Sequence, residues 1–129
     1  MNWKILYHKD KNYIEIKREG KYKVEENTGI IAELFSSEFW KPGLPLLFDN
    51  NELEFASFNY DTARQASCFY EEFNKSHGLG KVAWLANSPR KYGIGRQIQN
   101  LCETKEIMDM MVFTDKTEAL TWLTTEKGH

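Results

Sequence analysis

Three short, largely apolar runs, Leu44–Phe48, Lys81–Ala86 and Met110–Phe113, recur along the chain, each followed by residues with helical apolar spacing. Runs of four to six apolar residues are too short for buried helices and suit strands covered on both faces. The intervening stripes are Ala66, Phe69, Tyr70 and Phe73 in a helix from Asp61 to His77, and Ile94, Ile98, Leu101 and Cys102 in one from Tyr92 to Thr104. A final helix carries Ala119, Leu120, Trp122 and Leu123 after a capping signal at Thr114-Asp115. Strands alternating with helices demand crossover connections and a largely parallel sheet.

The first third differs. Trp3–Tyr7 and Tyr13–Lys17 flank the turn-prone Asp10-Lys11-Asn12, and Ile14 and Ile16 alternate with polar neighbours, which predicts an antiparallel hairpin. Ile30, Ile31, Leu34 and Phe35 then mark a helix within Val24–Ser36, with Asn27 or Thr28 as its cap. Asp61 is the expected N-cap of the next helix and Gly78 its stop. The expected architecture is α/β, one domain over residues 1–129, in the order β-β-α-β-α-β-α-β-α. A four- to five-stranded mixed sheet bears the hairpin at its edge and is flanked by about four helices.

Composition narrows the function. With 17 Lys and Arg against 19 Asp and Glu and a pI near 5.9, the chain lacks the basic excess of a nucleic-acid binder. No apolar run approaches the ~20 residues that span a bilayer. The N-terminus lacks a signal-peptide pattern, so a cytoplasmic protein is expected. Cys68 and Cys102 read as reduced core thiols. His8, His77 and His129 are scattered without metal-ligand spacing, and neither a metal nor a cofactor is expected. No serine elbow, dinucleotide fingerprint or phosphate-binding loop is present, so the expectation is a protein that is not an enzyme.

Sites in open α/β sheets gather beyond the carboxyl ends of the strands. This rule selects Asp49 and Asn50 after one strand and Pro89-Arg90-Lys91-Tyr92-Gly93-Ile94-Gly95-Arg96 after the next. Cations at a helix start oppose the macrodipole, so Arg90, Lys91 and Arg96 are candidate anion contacts, with solvated surface charges as the alternative. The 18 aromatics (8 Phe, 6 Tyr, 4 Trp) mostly fall on strands and helix stripes. Phe55, Phe58, Tyr60 and Tyr92 remain near the carboxyl-end loops as a candidate apolar pocket or interface.

Leu47-Phe48-Asp49, Gly93-Ile94-Gly95-Arg96 and the closing Val112-Phe113-Thr114-Asp115, Glu118-Ala119 and Trp122-Leu123 resemble the SpoIIAA-like branch of the STAS superfamily. These are STAS/SEC14-like small bacterial proteins, and the resemblance spans nearly the whole chain. It implies a four- or five-stranded mixed sheet flanked by helices and a non-enzymatic module that contacts a protein partner through carboxyl-end loops. Anti-sigma-factor antagonists of the superfamily carry a phosphorylatable Ser or Thr beside an Asp after the central strand. The matching stretch here is Asp49-Asn50-Asn51-Glu52, without a hydroxyl; Ser57 and Thr62 are the nearest. Other relatives bind small apolar or lipid-like ligands, which makes a small-molecule carrier for a lipid-like or anionic ligand the alternative. A homodimer is the commonest symmetric assembly, and nothing in the sequence selects an interface for one.

Overall fold

A computed structural model describes residues 1–125. The strands are β1 (Asn2–His8), β2 (Tyr13–Lys21), β3 (Leu46–Glu54), β4 (Val82–Leu85) and β5 (Met110–Phe113). The helices are α1 (Asn27–Phe35), preceded by a 3-10 turn over Val24–Glu26, α2 (Tyr60–His77), α3 (Pro89–Thr104) and α4 (Lys116–Thr124). The sheet runs β1-β2-β3-β4-β5, with β1 antiparallel to β2 and the other pairs parallel. The expected α/β architecture is therefore present, with five strands and four α-helices among the described residues.

The two faces of the sheet are covered unequally. Ile14, Ile16, Leu46, Phe48, Trp84 and Val112 belong to the large core beneath α1, α2 and α3. Tyr13, Leu47, Ala83 and Leu85 face the other way and pack on Ala119 and Leu123 of α4. That helix packs chiefly on β3, β4 and β5 and reaches β2 at Tyr13 and Glu15, so β4 is buried along its whole length, whereas β1 alternates. Across the uncovered part, Lys4, Lys17 and Asp49 stand in register and line an open groove of about 470 Å³.

At the border of the covered half, Glu15 is 2% exposed and accepts hydrogen bonds from His8 Nε2 at 2.9 Å and Lys116 Nζ at 3.2 Å. Burial alone would raise its pKa. The bonds from Lys116 and His8, with the charges of Lys116 and Lys17, outweigh that effect and hold the carboxyl below its ordinary value. The ion pair thereby ties the start of α4 to β2.

Several element ends differ from expectation. The third strand begins at Leu46 and continues to Glu54, because β2 itself runs on to Lys21 and, across a register shift between Lys17 and Glu19, supplies partners up to Glu54. Asp49 and Asn50 are thus strand residues, not loop residues. Asn59, not Asp61, caps α2: its side chain accepts from the Thr62 N–H at 3.0 Å. α3 starts at Pro89, three residues before Tyr92, because Ser88 caps it and proline suits the first turn. Asn27 is helical, and its side chain turns into the core.

Candidate functional site

The period-two pattern of β2 continues from Ile14 and Ile16 to Arg18, which puts a guanidinium on the core face of the sheet. Arg18 is 2% exposed. Its Nε donates to Asn50 Oδ1 at 2.9 Å and its Nη1 to Asn27 Oδ1 at 3.0 Å. Its guanidinium carbon lies 4.7 Å from the ring centre of Phe48, 5.3 Å from that of Trp84 and 5.4 Å from that of Tyr22. These aromatic faces attract a cation but do not neutralise it.

Two buried donors of this cluster, Arg18 Nη2 and Asn50 Nδ2, have no hydrogen-bond partner among the described residues. No ion pair among the described residues involves Arg18. The nearby phenols cannot serve as counter-ions. Burial raises the Tyr22 pKa despite the opposing influence of Arg18 and Asn27, and burial raises that of Tyr70, which accepts from Trp84 Nε1 at 3.0 Å. Both are neutral at physiological pH. A buried cation held by two amide oxygens, the neutral Tyr22 hydroxyl and aromatic rings, with no carboxylate, is an expensive arrangement that ordinary packing does not require.

The aromatic segment forms the roof of this cluster. Tyr22 and Phe55 have ring centres 5.0 Å apart, Phe55 and Phe58 5.7 Å, and Phe55 and Trp84 5.9 Å. Asn27 links roof to floor, since its amide donates to the Tyr22 hydroxyl at 3.2 Å while its oxygen receives Arg18. On the outer side, Tyr22, Phe55, Phe58 and Thr62, together with the charged Lys23 and Glu25, line a small pocket of about 200 Å³.

The other expected site residues separate. Arg90 donates through Nη2 to the carbonyl of Phe55, and Lys91 Nζ donates to the carbonyl of Asn51 at 2.6 Å and to Asn87 Oδ1 at 3.2 Å. These two cations tie the start of α3 to the end of β3. Arg96 is exposed and donates to Gln99 Oε1 at 3.3 Å, away from both. Asp49 is half-buried and accepts from the Asn51 N–H at 3.1 Å. Phe55 is buried, Phe58 half-buried, and Tyr60 and Tyr92 are 61% and 37% exposed. Ser57 is exposed and borders the 200 Å³ pocket, whereas the Thr62 hydroxyl donates to Asn59 Oδ1 at 3.1 Å. Of the histidines, His8 holds Glu15, His77 stacks on Phe35, and His129 lies outside the described residues.

Arg18, Asn27 and Tyr22 do not figure among the expected site residues; Asn27 is expected only as a helix cap, a role its side chain does not take. The signal available for Arg18 was parity: it extends the Ile14, Ile16 alternation by one step.

No family model matches the chain, and no curated protein matches it. Among solved structures, it is similar to the crystal structure of an uncharacterized protein of the DUF3478 family, with a SpoIIAA-like fold, from Shewanella loihica PV-4. The identity is 19%, the TM-score 0.59, and the match covers 95% of this chain and 92% of that one. No helix among the described residues is long and apolar enough to cross a membrane. With its hairpin edge, parallel strands and four helices, the chain has the SpoIIAA-like fold that its closing motif resembles.

Proposed function

We propose that this protein is a non-enzymatic interaction or regulatory module that contacts a protein partner at the carboxyl end of its sheet. The exposure of Tyr60 and Tyr92 supports this reading. Each occupies the first turn of a helix that begins beyond a carboxyl strand end, and tyrosines in such places supply large amphipathic contact area at low entropic cost. The cations of the same end already bond to backbone carbonyls, which leaves these rings as its principal apolar features. Affinity capture from the native cells, followed by native mass spectrometry, tests the idea. A partner at fixed stoichiometry should accompany the wild type and be lost from Tyr60→Ser/Tyr92→Ser at unchanged Tm. Equal recovery with both proteins, or none with either, refutes it.

A second reading, a small-molecule carrier or sensor, is favoured by the pocket outside Tyr22, Phe55 and Phe58 and by the uncompensated cation behind those rings.

A further inference from the structure

We propose that Arg18 and the Asn50 amide recognise the head group of a small carboxylate whose apolar body lies against Tyr22, Phe55 and Phe58. The inference rests on the carrier reading and gives its ligand a chemical class.

Three observations converge on it. First, both unpartnered polar atoms of the cluster are donors, Nη2 of a cation and Nδ2 of an amide joined to that cation by a hydrogen bond, so the complementary group is an acceptor. Second, no carboxylate among the described residues forms an ion pair with Arg18, although Glu25 lines the outer pocket. The carboxylates of the adjoining turn, Glu25 and Glu26, do not bond to it, and Glu26 instead receives the N-terminal ammonium at 2.7 Å. The guanidinium, bonded to the Asn27 side chain where the 3-10 turn runs into α1, therefore keeps an unpaired charge. A water molecule would satisfy the donors but leave that charge; an anion answers both. Third, the group is one planar cation beneath aromatic rings. A single charge matches a monoanion, the planar fork suits a carboxylate, and the rings of Tyr22 and Phe55 reach from the cation to the outer pocket. Entry requires these rings to part. Phe58, which is half-buried, packs against both.

Titrating the full chain with sodium benzoate tests the proposal, with neutral benzamide, sodium phosphate and sodium chloride as controls at matched ionic strength. Benzoate should raise Tm in a saturable manner, and benzamide, phosphate and chloride should not. Arg18→Met fills the same space without charge and should fold, with an apparent benzoate affinity about 30-fold weaker or more. If that variant does not fold, the Arg18 Nε–H resonance of the wild type decides, and it should shift on addition of benzoate. The assignment fails if benzamide or phosphate acts like benzoate, if benzoate changes neither Tm nor the Nε–H resonance, or if Arg18→Met binds benzoate as the wild type does. A ligand of other chemistry retained in native mass spectrometry, with benzoate inactive, would remove the carboxylate and keep the carrier. No retained ligand and no response to benzoate would remove both.

Discussion

Two glycines two residues apart in α3 should respond in opposite directions to the same substitution. A Cβ built on Gly93 meets nothing within 4 Å, whereas one on Gly95 comes 2.9 Å from Val112 Cγ2 and 3.0 Å from Trp84 Cε3. Both are helical, so alanine at either position gains about 0.5–1 kcal/mol from reduced backbone freedom in the unfolded chain. At Gly93 nothing opposes that gain, and Gly93→Ala should raise Tm by roughly 2–5 °C for a chain of this length. At Gly95 the added methyl must displace Val112 on β5 or the 1% exposed Trp84 on β4, and overpacking of this kind costs about 1–3 kcal/mol. The net expectation for Gly95→Ala is a loss of up to about 2 kcal/mol. Urea denaturation of the two variants beside the wild type, compared at equal m-value, is the assay. The reasoning is refuted if Gly95→Ala is as stable as Gly93→Ala, since that would mean α3 does not approach the sheet as closely as the structure shows.

Two further predictions concern buried ionisable groups. The Glu15 carboxyl is held below its ordinary value of 4.5, so its contribution to stability is present above the unfolded-state value and disappears as pH falls through the folded-state value. Glu15→Gln should therefore cost about 1–2 kcal/mol at neutral pH and flatten the acid limb of the stability profile; an unchanged acid limb would contradict the role given to Lys116 and His8. Burial pushes the Cys102 thiol up to about 12, so a thiol reagent at pH 8 should modify the half-buried Cys68 in the native protein and reach Cys102 only after denaturant is added. Two thiols reacting at one rate would show that Cys102 is accessible.

The stretch Asp49-Asn50-Asn51 illustrates why the candidate site is only partly legible in the sequence. Polar residues after an apolar run read as a turn, yet here they continue a strand because β2 extends alongside them beyond its bulge. Asn50, which reads as a loop contact, is fully buried and acts as an acceptor for Arg18, 32 residues earlier. Phe55 and Phe58 read as aromatics near the carboxyl-end loops and meet in a cluster; Tyr60 and Tyr92, which read the same way, lie on the surface. Arg90 and Lys91 stand at a helix start as expected, but they bond to the carbonyls of Phe55, just beyond β3, and of Asn51 within it, 35 and 40 positions away, contacts that no local pattern encodes.

The sequence by itself determined the order and type of the elements. Apolar runs of strand length and stripes of helical period reflect which faces must leave water, and that requirement is written residue by residue. The unequal coverage of the sheet is visible there too, as continuous apolar strands where α4 packs and alternation where it does not. Only the tertiary structure decided which polar residues are buried. The fate of Arg18 depends on β3, the start of α1 and three rings from separate elements closing around it, and a charge in such a place is set by what surrounds it in space, not by its neighbours in the chain.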